Sequence, residues 1–180
     1  MIRNSALFGI FFLLFVACGP KDAEIKKAAS IIYDLPVEVG SNVSIVYTDS
    51  GFLKAKLFAP LLERFASEAR NQTEMADGIT AYFYDQNGHV TSYIKSKYAV
   101  RDERERSITV RNDVNVINNK GDTLRTEELI WDERADRIYS EKFVRITSPD
   151  KIIMGSGFES NTAFTKFRVL NITGIISLNK

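Results

Sequence analysis

Residues 78–96 read GITAYFYDQNGHVTSYIKS, and their alternation decides the fold. Ile79, Ala81 and Phe83 alternate with Thr80, Tyr82 and Tyr84. Val90, Ser92 and Ile94 continue the same period beyond the turn. A period of two puts one set of side chains on each side of an extended strand, so one face is buried and one is wet. Asn87-Gly88 lies between the two runs. Both residues tolerate positive φ, so the pair predicts a tight antiparallel hairpin.

The same reading extends outward in both directions. Toward the N-terminus, Val37, Val39, Val43, Ile45 and Tyr47 fall on odd positions, and Leu53, Ala55 and Leu57 do so after the turn Thr48-Asp49-Ser50-Gly51. Toward the C-terminus, Asn119-Lys120-Gly121-Asp122 and Ser148-Pro149-Asp150 supply further turns. Units opening at Gly88, Gly121 and Asp150 each return through a second strand, at 108–116, 138–146 and 167–172. Regular hairpin spacing predicts an all-β antiparallel domain, either stacked hairpins or a sandwich. Two stretches break the pattern. Pro60–Ala69 fits either a helical turn or an irregular edge strand, and the charge run Arg101–Arg106 (RDERER) reads as a solvated hairpin tip.

The first residues do not share this pattern. Arg3 is followed by an apolar run from Ala6 to Val16 and by Ala17-Cys18-Gly19. Basic, then apolar, then small is the order of a secretory signal, and the run is too short for a membrane span, which takes roughly 20 residues. Phe15-Val16-Ala17-Cys18 resembles a bacterial lipobox, with Phe15 where Leu is usual. The expectation is a signal peptide at 1–17, a lipidated Cys18 with a polar tether through residue 35, and a domain at 36–180. More than one acyl chain on Cys18 would hold the protein stably on a bilayer.

The composition narrows the function. The chain has 180 residues, 44% hydrophobic and 26% charged, which is ordinary for a folded domain. Its 24 Lys+Arg against 23 Asp+Glu give no basic excess of the kind that binds nucleic acid, so no nucleic-acid partner is expected. A single His and a single Cys leave no means of building a Cys/His metal site or a Cys–His nucleophile, so no metal and no cofactor are expected. His89 reads as an exposed turn residue. Glu127, Glu128, Asp132 and Glu133 surround Trp131, but alternation sends neighbours to opposite faces. Gly155-Ser156-Gly157 lacks the Lys and the helix of a phosphate loop. No catalytic residue is assigned, and the chain is not read as an enzyme. The last strand, Phe167–Leu178, is either paired inside a closed sandwich or an open edge that a partner extends.

The second half carries a resemblance. Gly121-Asp122-Thr123-Leu124, Thr126-Glu127, Leu129 and Trp131-Asp132 are followed by Ile138, Ser140, Val144 and Ile146. Then come Ile152-Ile153, Gly155, Gly157-Phe158 and Ser160. In that order and spacing they resemble the LptC family, the periplasmic component of the lipopolysaccharide export transporter. Tyr47–Gly51 with Leu53, Ala55, Leu57 and Ala59, and Gly78-Ile79 with Ala81, Phe83 and Asp85, resemble the family's opening strands.

The resemblance implies two antiparallel sheets in an open, twisted β-jellyroll. The slot between the sheets would hold the acyl chains of lipid A. The subunit would accept lipopolysaccharide from the inner-membrane transporter complex and pass it to a periplasmic bridge protein by strand-edge pairing. The lipid anchor would place it on the periplasmic face of the inner membrane, with the outer membrane as the alternative. Candidate slot residues on the alternating apolar face are Ile45, Leu57, Phe83, Ile94, Val110, Val116, Leu129, Trp131, Ile138, Val144, Ile146, Phe158 and Val169. Simple core packing is the competing role for each of them. Gly155 and Gly157 are candidates for a bulge or for partner contact. The competing function is a structural or bridge-type jellyroll lipoprotein that joins envelope proteins without holding lipid.

Overall fold

The structure is a computed structural model that describes residues 35–162, 164 and 166–178. The expected signal peptide, Cys18 and the tether as far as residue 34 lie outside the described residues. Eleven strands follow one another: β1 (Glu38–Asp49), β2 (Phe52–Ala66), β3 (Asn71–Met75), β4 (Ile79–Tyr84), β5 (Val90–Ser96), β6 (Tyr98–Asp102), β7 (Ser107–Asn118), β8 (Thr123–Asp132), β9 (Arg137–Thr147), β10 (Lys151–Asn161) and β11 (Phe167–Ser177). Every pairing is antiparallel. The described residues form an all-β fold, as the alternation predicts.

The hairpins form where expected, but at Asn87-Gly88 only the glycine takes positive φ and the connection spans residues 85–89. At Asn87-Gly88, Gly88 takes φ 81°. The Asp85 carboxylate accepts the Asn87 and His89 amides at 2.8 and 2.9 Å. At 119–122, Gly121 takes φ 83°, and the Asn118 side-chain oxygen accepts the Lys120 and Asp122 amides at 2.9 and 3.0 Å. Side-chain acceptors of this kind satisfy turn amides that no ladder reaches.

The long strands are bent at mid-length, and this makes two layers from one hydrogen-bonded sheet. On one side, β7 pairs with β6 through Ser107–Arg111 and with β5 through Asn115–Asn118. Likewise β2 pairs with β4 through Ala55–Phe58 and with β3 through Glu63–Ala66. The remaining long strands contribute to both halves. The bends sit at irregular positions: Asn42 (φ 53°), Asn112 (φ 62°), Asp113 (φ 58°) and Gly157 (φ 86°). Asn and Asp are the non-glycine residues that best tolerate this region. The register of β7 with β8 slips between Arg111 and Val114, and that of β9 with β10 between Ser156 and Phe158. The result is the twisted β-jellyroll, with its two sheets continuous through the bend.

Pro60 falls at the same bend. It lies inside β2, which is bonded on both sides, so the stretch is neither helical nor an edge. Between Phe58, the last partner of β4, and Glu63, the first of β3, the missing Pro N–H has no ladder position to fill. The run Arg101–Arg106 does form the tip between β6 and β7, but it is tied down. The Arg104 guanidinium donates to the carbonyls of Ser67 (3.2 Å) and Glu68, and Arg134 donates to the Arg104 carbonyl. Arg101 meets the Glu133 carboxylate through two nitrogens, at 3.1 and 3.4 Å.

The core lies between the halves. Ile94, Val116, Leu124, Val144 and Ile146 come from one half, and Met75, Ala99, Val110, Leu129, Ile138 and Phe158 from the other. Burying a side chain of this size contributes roughly 1.5–3 kcal/mol. Buried hydroxyls are mostly bonded: Thr126 donates to the Phe143 carbonyl at 2.9 Å, and Ser140 accepts the Lys142 amide at 3.1 Å.

Candidate functional site

Directly opposed residues on neighbouring strands share a face. Following the register from edge to edge gives one continuous inner row: Ile45, Leu57, Ala81, Ile94, Val116, Leu124, Ile146, Ile153 and Ile175. Its members are all apolar, and it crosses the half-sheet from β1 to β11. The facing half covers its middle, where Ile94, Val116, Leu124 and Ile146 are buried. Its two ends are open. Ile45 on β1 is 42% exposed and Ile175 on β11 is 60% exposed. Tyr47 flanks the first end and Ile172 the second, both of them exposed.

Among the described residues, those ends coincide with the two strands that have only one neighbour. β1 pairs only with β2, and β11 only with β10. Among the described residues, each leaves a row of backbone donors and acceptors unpaired along its outer side. Long apolar edges of this kind are templates for pairing with another chain. The apolar row is therefore exposed at the same places where another strand can be added.

The sequence-predicted residues distribute as follows. Ile94, Val110, Val116, Leu129, Ile138, Val144, Ile146 and Phe158 are buried in the core. Leu57, Phe83, Trp131 and Val169 are partly buried and packed against it. Ile45 stands apart from them, exposed on the edge strand. Cys18 lies outside the described residues. A Cβ on Gly155 would meet the Asn171 carbonyl oxygen at 2.4 Å, and one on Gly157 would meet the Leu170 side chain at 3.0 Å. Both glycines thus have a reason inside the chain: they let β11 lie close against β10.

The candidate slot residues leave out Leu124, Ile153, Ile172 and Ile175, and also Ala81, which the alternation already places on the apolar face. Parity within each strand was readable, but the register that lines the strands up was not. Two inner-face polar atoms, Ser92 Oγ and Trp131 Nε1, are buried without a hydrogen-bond partner.

The titratable groups are structural in their settings. Glu128 pairs with Arg111 at 2.7 Å, and Glu133 with Arg101 at 3.1 Å. Asp132 accepts the Arg134 and Ala135 amides in its own turn. The His89 amide, donating to Asp85, holds that carboxyl below its ordinary range. The Ser148 hydroxyl, with Asn118 and nearby lysines, does the same for Asp122. Burial, with Glu74 beside it, pushes the Tyr98 hydroxyl up. Among the described residues, no group of three His, Cys, Asp or Glu side chains converges on a metal site.

A comparison with curated proteins found no match. A comparison with protein families did. The family model described as "Lipopolysaccharide-assembly, LptC-related" matches residues 20–176, which takes in every strand of the fold except the last residue of β11. The chain belongs to the LptC-related family of lipopolysaccharide-assembly proteins.

Proposed function

We propose that the protein carries lipopolysaccharide during export, holding its acyl chains in the slot between the two half-sheets. The observation that carries this reading is the apolar inner row, closed in the middle and exposed where it reaches β1 and β11. An acyl chain gains roughly 25 cal/mol for each Å² of surface removed from water, so such a row can hold lipid without covalent chemistry. Its open ends give the lipid a way in and a way out. One edge strand would meet the inner-membrane transporter complex and the other a periplasmic bridge protein, each joined by backbone pairing that prolongs the slot. The same proposal places the protein on the periplasmic face of the inner membrane, anchored through acylated Cys18. It assigns the protein no enzymatic step, and the energy for transport comes from its partners.

A second reading, a jellyroll that joins envelope proteins without holding lipid, draws on the closed middle of the slot, where Val144 is 0% and Phe158 2% exposed. Photocrosslinking in cells separates the two. A photoreactive residue replaces Ile45, Tyr47 or Ile175 at the slot ends, with Thr109 on the outer face of the other half as control. Crosslinks to lipopolysaccharide from the slot ends alone are expected. Crosslinks only to protein, in correctly localised chains, would replace the transport reading with the scaffold one.

A further inference from the structure

The outer face of the half-sheet that carries the apolar row is mainly cationic. Lys54, Lys56, Lys95, Arg125 and Arg145 alternate outward on it, against the outward carboxylate of Glu127, where β8 reaches the bend. Among the described residues, none of these cations makes an ion pair. The outer face of the other half is built differently. There Glu74 pairs with Arg70, Glu128 with Arg111, and Glu159 with Arg168. Lys95, Arg125 and Arg145 share one row across β5, β7, β8 and β9, and Arg125 stands directly opposite Arg145. Like charges facing each other across a ladder are unfavourable. Among the described residues, neither arginine is in an ion pair.

Aromatic rings interleave with these charges. Phe58, Tyr82 and Tyr93 form a connected group on β2, β4 and β5, with centroids 6.2 and 5.9 Å apart. The Lys56 ammonium lies 4.9 Å from the Phe58 ring centre. Tyrosine, with an apolar ring and a polar tip, is suited to the boundary between headgroups and acyl chains. The face spreads these cations over β2, β5, β8 and β9, with neighbouring strands about 4.8 Å apart. It therefore suits an extended anionic surface better than a single small anion.

We propose that this outer face rests on the surface of an anionic lipid bilayer. The cations meet lipid phosphates, and the tyrosines settle at headgroup depth. The lipid slot is a separate feature on the opposite side of the same half-sheet, and this inference does not depend on it. Each Lys or Arg near an anionic surface is worth about fivefold in affinity. The attraction is screened by salt within a Debye length of about 10 Å at 0.1 M.

Lysine footprinting on the full native chain tests this. The chain is mixed with vesicles of phosphatidylcholine, or of phosphatidylcholine containing phosphatidylglycerol, and amine acetylation is read residue by residue. Lys54, Lys56 and Lys95 are expected to react about tenfold more slowly on the anionic vesicles alone. Lys166, in the turn before β11, should be unchanged. The double substitution Arg125→Gln and Arg145→Gln removes two exposed charges and leaves the reporter lysines in place. It should weaken the surface contact about 25-fold, at fivefold per charge, and abolish the protection. Equal rates on neutral and anionic vesicles would overturn the proposal, and so would equal protection of Lys166. Protection by a free phosphorylated oligosaccharide, with none from vesicles, would overturn it in favour of a glycan site.

Discussion

Replacing Gly155 with Ala should loosen the packing of β11 against β10. A Cβ there would lie 2.4 Å from the Asn171 carbonyl oxygen, 2.6 Å from Val169 Cγ1 and 3.0 Å from the Asn171 carbonyl carbon. Val169 can turn aside, but Asn171 contributes backbone and cannot. Non-bonded carbon contacts settle at about 3.5–4.0 Å, so β11 must retreat by roughly 1 Å at the point where it meets β10. Overpacking of this kind costs roughly 1–3 kcal/mol. Alanine also restricts the unfolded chain, which offsets about 0.4–1 kcal/mol. The clash wins, leaving a net loss of about 1–2 kcal/mol. With a urea m-value of about 2 kcal/mol/M, the unfolding midpoint falls by roughly 0.5–1 M.

The loss should also be local. β11 is bonded on one side only, so its amides should lose hydrogen-exchange protection before those of β8 or β9. Gly174→Ala on the same strand is the control. Its Cβ meets only the flexible tip of Met154, at 3.1 Å, and should change stability by no more than about 0.5 kcal/mol. An unchanged midpoint for Gly155→Ala, with β11 amides protected as before, would refute the close-approach account of this glycine.

Phe158→Ala should cost about 3–5 kcal/mol, because the ring is 2% exposed and stacks on Phe167 at 6.0 Å. A loss under about 1.5 kcal/mol by urea titration would mean that the slot collapses freely around it. Asp122 titrates below the ordinary carboxylate value of 3.8, with the Ser148 hydroxyl as the first cause. The folded state therefore gains stability from its charge above that value and loses it as pH falls through the lowered one. The carboxylate is largely solvated, which keeps the effect under about 1 kcal/mol. Asp122→Asn should flatten the acid limb of the stability–pH curve and leave the neutral region nearly unchanged; an acid limb as steep as the native one would rule this out.

Much of the fold was legible because its signals are local. The alternation at 79–84 and 90–94 is a property of neighbouring residues, and Asn87-Gly88 forms its hairpin with its own amides and the carboxylate two residues before it. Pro60 was not legible. Whether a missing N–H does harm depends on which strand lies beside it, and at the bend of β2 none needs it. The acidic residues around Trp131 show the same limit. Alternation set their faces apart, but only the fold brings Arg111 to Glu128 and Arg101 to Glu133. Ile45 illustrates it for the slot. Its parity places it on the apolar face, yet its exposure follows from β1 having no second neighbour.

The sequence by itself determined the strand class, the turns and the apolar side of each strand, because these depend on the period of side chains along one extended backbone. The motif order was also enough to suggest the family, since order and spacing survive where individual residues vary. Only the tertiary structure decided that the sheet bends into two facing halves, that the apolar positions join into one row from β1 to β11, and that the unpaired cations gather on its outer side. Each of these depends on register between strands distant in sequence, and register is set by packing against the facing half and by bulges at the bend.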